Sequence, residues 1–188
     1  MGYRERSLRK YIDDLSKKLP APGGGSASSL VCGLGVSLLG MVINFTLGKP
    51  GYQDYEKELK KILIKVESLK KRFLELVDED VKAYKSKDIW YSLEVPLKVA
   101  YNCYEAIRIS PLLLKKGNKN LLSDVACGVI FLEAGFWGAY FNVEANLKFI
   151  KEKKIVNKIR KELLREASHL KRIKEEVEKK VGVFIKGN

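Results

Sequence analysis

The chain runs to 188 residues, 46% of them hydrophobic, with 36 Lys and Arg against 23 Asp and Glu for a formal charge of +13. That length suits a single domain, residues 1–188, with a sizeable core. The charge does not argue for a nucleic-acid partner, because the basic residues lie along amphipathic stretches instead of clustering with aromatics. From Lys148 to Lys180, 13 Lys and Arg mix with 6 Asp and Glu as the solvated face of a helix.

Cys32, Cys103 and Cys127 stand apart with no CxxC pair, and His169 is the single histidine, so no metal site is expected. The three thiols read as small buried hydrophobes of a reducing, cytoplasmic compartment. The opening "MGYRERSLRK" is charged where a secretory leader needs an apolar run.

In chain order, helical patterning begins at about Ser7–Leu19. The stretch "PAPGGGSASS", residues 20–29, then leads into an uncharged helix from Ser26 to Leu47. A glycine loop entering a helix start presents unpaired N–H groups at the positive end of the helix dipole. It is either an anion cradle or plain punctuation. Gly48-Lys49-Pro50-Gly51 ends that helix, and the next, Tyr52 to about Lys87, carries Tyr55, Leu59, Ile62, Val66, Leu69, Phe73 and Leu76 at spacings of three and four. Further helices are expected at Leu93–Lys115, interrupted by Pro96 and Pro111, then after the loop "KKGNKN" at Asn120–Lys151, and at Lys153–Val181.

No alternating strand-like run stands out, so the fold is all-α, a multi-helix bundle. Ser26–Leu47 and Val125–Ala145 are apolar enough to raise the question of a membrane span. Ser37 and three glycines in the first, and Glu133 in the second, favour buried central helices of a bundle or dimer over a membrane.

On the first apolar helix Ser26, Gly33, Ser37, Gly40 and Asn44 share one side, and on the later one Asp124, Gly128, Gly135, Ala139, Asn142 and Asn146 do the same. Such stripes serve close helix contact or floor a groove. Asp80 is a sharper anomaly: four residues beyond Leu76, it stands on the stripe that buries Leu59, Val66 and Phe73. It is either an ion-paired structural carboxylate or a desolvated acid suited to proton transfer near neutral pH. Asp78 and Glu79 point elsewhere and read as solvated. Asp124, after "GNKNLLS", serves a helix start or a site.

"PAPGGGSAS", "MVINFTLGK", "LVDEDVKAY", "EVPLKVAYNC", "GNKNLLSD" and "GAYFNVEANL" occur in an order and spacing that resemble the cyclodeaminase/cyclohydrolase family, over roughly residues 7 to 150. That family includes the C-terminal domain of formiminotransferase-cyclodeaminase and free-standing methenyltetrahydrofolate cyclohydrolases. The resemblance implies an intertwined homodimer acting on tetrahydrofolate derivatives, with no metal and no cofactor beyond that substrate. It implies loss of ammonia from the 5-formimidoyl compound to close the methenyl ring, or addition of water to that ring.

On this resemblance Asp80, Asp124 and Asn142 form the acid–base and orienting set. Gly23, Gly24, Gly25 and Ser26 form a wall open to ligand, so that a Cβ at Gly24 would intrude on it. Lys49 and Lys119, beside Asn118 and Asn120, are candidates for the anionic tail. Phe136 and Trp137 stand where smaller or more polar residues are expected, and "KSKDIWYS" looks short for a substrate-facing loop. A formiminotransferase domain is not expected within these residues. The competing reading is a helical folate-binding or scaffold protein without catalysis.

Overall fold

The computed structural model describes residues 2–187, and among them every regular element is helical. We number seven α-helices: α1 Leu8–Leu15, α2 Gly24–Asn44, α3 Glu56–Ser86, α4 Ile89–Ile107, α5 Ser110–Lys116, α6 Leu122–Leu147 and α7 Lys153–Lys186. Local chemistry sets several of the ends. Ser7 caps α1 by accepting from the Lys10 N–H. α3 stops at Lys87, in the left-handed conformation with φ 58°, and Asp88 at once caps α4 by accepting from the N–H groups of Trp90 and Tyr91. That tight reversal is why "KSKDIWYS" is short.

The expected interruption at Pro96 does not occur, for α4 runs through it. The break comes instead at Arg108 and Ile109, and Pro111 sits in the first turn of α5, where its missing N–H costs nothing. α2 starts two residues earlier than the sequence pattern indicated and ends at Asn44, before Leu47. Residues 23–25 are therefore the helix start itself.

α2 is the central helix. It packs against α3 on one side and α6 on another, with α4 closing the bundle behind and α7 lying over α6, α5 and α4. The stripe foreseen on α3 is buried as Leu59, Val66, Leu69, Phe73 and Leu76. The small-residue stripes are mostly devices for close helix approach. A Cβ on Gly35 would lie 2.8 Å from the Gly128 carbonyl oxygen, one on Gly135 2.1 Å from Cys32 Sγ, and one on Gly40 2.9 Å from Val66 Cγ1. Those contacts run Gly35 to Gly128 and Ser28 to Gly138, so α2 and α6 are antiparallel.

Away from those contacts, each of the two helices keeps an apolar side uncovered. On α2 it comprises Ala27, Val31, Leu34, Leu38, Met41 and Phe45; on α6 it comprises Cys127, Ile130, Phe131, Ala134, Phe141 and Ala145. Leu34 is 50% exposed and Phe141 67%. In both helices the mutual contact lies roughly 110° further round than this side, and because the helices are antiparallel the two sides face the same way as one surface. Both helices are long and apolar enough to cross a membrane by length and composition alone.

Two expectations about individual residues are corrected. Cys32 and Cys103 are buried, but Cys127 is exposed on the apolar surface. Asp78 and Glu79 are not solvated: Asp78 accepts from the Tyr3 N–H, and Glu79 takes a two-pronged bond from Arg72 at 2.5 and 2.9 Å. Phe136 is fully buried and Trp137 turns towards α7, so neither narrows the pocket described next.

Candidate active site

Where α2 begins, the end of α3, the start of α4 and the end of α6 leave a cavity of about 230 Å³. Its floor is the Gly23–Gly25 backbone, and Asp80, Asn142 and Asn146 reach into it, with Tyr84 and Pro20 at its rim.

Asp80 is held here by the geometry foreseen for an external anion. Its Oδ2 accepts the Ser26 N–H at 2.9 Å, so the carboxylate itself occupies the positive start of α2. Only glycine allows this approach, because a Cβ on Gly25 would lie 2.1 Å from Asp80 Oδ1. Burial pushes the Asp80 carboxyl above its ordinary value, and the Ser26 N–H opposes that push. The result is an acid that holds its proton longer than a solvated aspartate, with Oδ1 beside the cavity.

Ser26 is fully buried, and its hydroxyl is engaged by the Val77 carbonyl and Tyr11 OH, both at 3.0 Å. It is therefore a positioning residue for Asp80, which corrects its expected place in ligand contact. Gly24 is exposed at the cavity, and a Cβ there would meet only the Asn142 amide, its nitrogen at 3.4 Å and its oxygen at 3.9 Å. None of Gly23, Gly24 and Gly25 has positive φ. A demand for left-handed turn geometry thus does not explain them.

The two carboxamides are oriented from behind. Asn142 donates Nδ2–H to the Gly138 carbonyl at 2.8 Å, and Asn146 donates to the Ser92 carbonyl at 2.7 Å. The second bond explains the proline within α4. Pro96 has no N–H to give Ser92, four residues back, and the freed carbonyl takes the Asn146 amide instead. Asn146 lay on the small-residue stripe but was not singled out for the site. Ser92 carries no sequence signal apart from its place four residues before Pro96. Tyr84, 60% exposed and one helical turn beyond Asp80, could have been found from that spacing.

The other expected residues are not in this cavity. Asp124 lies in the first turn of α6, 18 positions before Asn142 on the same helix and so about 27 Å away along it. Leu121, without a side-chain bond, holds the capping position there. Lys49 gives its ammonium to Asn118 Oδ1 at 3.0 Å, while Asn118 is buried, its N–H on Thr46 Oγ1 and its Oδ1 also receiving the Asn120 N–H. Asn118 thus pins the loop, against the expectation of ligand contact. Lys119 and Asn120 are exposed beside it. No group of three or more His, Cys, Asp and Glu side chains suited to a metal ion occurs among the described residues.

A one-carbon centre placed before Asp80 would meet a proton donor or acceptor and two fixed carboxamides in a half-closed cavity. That set can move protons at a carbon–nitrogen centre without a covalent intermediate.

Comparison with known proteins bears on which centre that is. The family model described as formiminotransferase-cyclodeaminase matches residues 7–88 and 86–165. The methenyltetrahydrofolate cyclohydrolase of Methylorubrum extorquens is 31% identical over 93% of this chain and 97% of its own length. The formimidoyltransferase-cyclodeaminase of Rattus norvegicus is 27% identical over 77% of this chain, which corresponds to only 31% of the rat protein. The crystal structure of formiminotetrahydrofolate cyclodeaminase from Thermotoga maritima superposes with a TM-score of 0.83 at 28% identity, covering 97% of both chains.

Proposed function

Because the chain belongs to the formiminotransferase-cyclodeaminase family, we propose that it is a folate one-carbon enzyme that closes the 5,10-methenyl ring of tetrahydrofolate with loss of ammonia, or opens it with water. The observation that carries this reading is Asp80, a carboxylate with a raised pKa seated at a helix start beside two oriented carboxamides. In the closing reaction N10 attacks the formimidoyl carbon attached to N5. Protons from N10 and from Asp80 pass to the departing nitrogen, and ammonia leaves. In the opening reaction Asp80 takes a proton from the water that adds to the methenyl carbon. As the tetrahedral centre breaks its bond to N5, Asp80 returns its proton to N5 and the remaining hydroxyl proton passes to solvent, leaving the 10-formyl compound with one proton released overall. Asn142 and Asn146 orient the centre, and the Tyr84 ring offers a stacking wall for the flat pterin.

The uncovered α2–α6 surface is the interface of a homodimer in this proposal, since so large an apolar surface is costly in water. A two-fold axis lying across the helices brings the partner's α6 start, with its Asp124, towards the cavity holding Asp80. This arrangement reconciles the resemblance, which groups Asp80 with Asp124, with the distance between them in one chain.

The activity test is near-ultraviolet absorbance. Purified protein should consume 5,10-methenyltetrahydrofolate or form it from the 5-formimidoyl compound. Tight binding with neither change supports a folate-binding scaffold and rejects the enzyme. For assembly, Leu34→Glu should convert a dimer to a monomer in light scattering. A wild-type monomer at micromolar concentration, or a need for detergent to keep the protein dispersed, rejects the dimer.

A further inference from the structure

A second cavity, of about 290 Å³, lies on the other side of α3 and meets the first at Ala21. Its walls include Arg6, Lys82 and Lys85, three cations converging on one hollow. The carboxylate there, Asp78, is already engaged: it accepts the Tyr3 N–H at 2.5 Å and faces the Arg4 guanidinium at 3.6 Å. Arg6 lies over the Tyr3 ring at 5.3 Å, which holds it at the rim. No ion pair of Arg6, Lys82 or Lys85 occurs among the described residues.

Position separates this hollow from the general basic surface. Ala21 lines both cavities, so a ligand seated before Asp80 can extend past Tyr84 and over Ala21 into it. Lys49 is already engaged by Asn118 and, within one chain, lies at the opposite end of the α2–α6 pair, so that only the partner's Lys49 could approach this cavity. We propose that Arg6, Lys82 and Lys85 form an anion subsite that takes the carboxylates of the substrate's tail, a role for which the family resemblance makes Lys49 and Lys119 the candidates. The proposal rests on the folate reading above and names where the tail of that substrate lies.

The test uses the full chain and two unreactive probes, folic acid and pteroic acid, which differ by the glutamate. Calorimetry should show wild type binding folic acid the more tightly. The Lys82→Gln/Lys85→Gln double variant should weaken folic acid about tenfold, with less than a twofold change for pteroic acid, and the difference should shrink as salt rises. Unaltered melting curves establish that the variant is folded, and Arg6→Gln should give a smaller loss in the same direction. Equal weakening of both probes, no weakening, or a loss that appears instead in Lys49→Gln/Lys119→Gln would overturn the subsite. Wild type that discriminates the probes in this way yet turns over neither folate substrate leaves the subsite standing and rejects the enzymatic reading. Wild type that binds neither probe overturns the subsite, while the enzymatic reading is decided separately by the absorbance assay.

Discussion

Replacing Gly25 with Ala isolates what the close approach of Asp80 contributes. The new Cβ would start 2.1 Å from Asp80 Oδ1 and 2.8 Å from its Cγ, while carbon–oxygen contacts settle near ~3.3 Å, so the carboxylate must retreat by about 1 Å. That retreat breaks the 2.9 Å bond from the Ser26 N–H, a hydrogen bond to a charged group worth roughly 1.5–3 kcal/mol. Ala is favoured over Gly in a helix by about 1 kcal/mol, leaving a net loss of about 0.5–2 kcal/mol, or roughly 1–8 °C in melting temperature for a chain of this size. Activity should suffer more, because a misplacement of about 1 Å in a reacting group costs on the order of a hundredfold. Gly24→Ala is the companion variant. Its Cβ meets only the Asn142 amide at 3.4 Å, so stability should hold or rise slightly, while KM rises because the methyl group enters the cavity. Steady-state kinetics and thermal melts on the two proteins suffice. Near-normal turnover in Gly25→Ala would refute the account of Asp80, and a marked stability loss in Gly24→Ala would refute the account of the helix start.

Asp80→Asn should lower turnover at least about tenfold yet melt no lower than wild type at neutral pH. The folded pKa of Asp80 is raised, so its ionised form weakens the fold as pH climbs through that value, and the amide removes this penalty while still accepting from the Ser26 N–H. A large loss of stability would make the carboxylate structural. Mixing inactive Asp80→Asn and Asp124→Asn chains, with exchange of subunits, should restore about a quarter of wild-type activity, because half the dimers are mixed and each of these has one intact site. No recovery would separate Asp124 from the site. Glu166 lies in the core with Oε2 lacking a hydrogen-bond partner, and burial raises its pKa from the ordinary 4.5 to about 7, with Glu162 and Glu105 adding to the rise and Arg165 opposing it. The unfolded chain therefore releases this proton first, and stability should fall between about pH 4.5 and pH 7. Glu166→Gln should flatten that fall and gain about 1–2 kcal/mol at pH 8. A melting profile unchanged by the substitution would show that the buried carboxylate does not govern this range.

The helical class, the α3 core stripe and the significance of Asp80 were legible in the sequence because each depends on local periodicity. A carboxylate on an apolar stripe is an anomaly that needs no coordinates to notice. Family resemblance added the chemistry, through motifs spread over most of the chain. What only the tertiary structure decided was who meets whom. Gly25 and Asp80 are far apart in sequence, and nothing local reveals that the anion at the start of α2 is the protein's own. The Pro96 of α4 reads as a helix breaker until packing shows Asn146 taking the carbonyl it frees. Asp124 and Asn142 share a helix face by angle but not by height, since angular periodicity says nothing of distance along the axis. The same blindness hid the meeting of Arg6 with Lys82 and Lys85, neighbours on α3 that it joins only when the amino-terminal strap folds against that helix. Periodicity fixes which side of a helix is buried, whereas a site is made where several helices end, and that depends on contacts between residues distant in the chain.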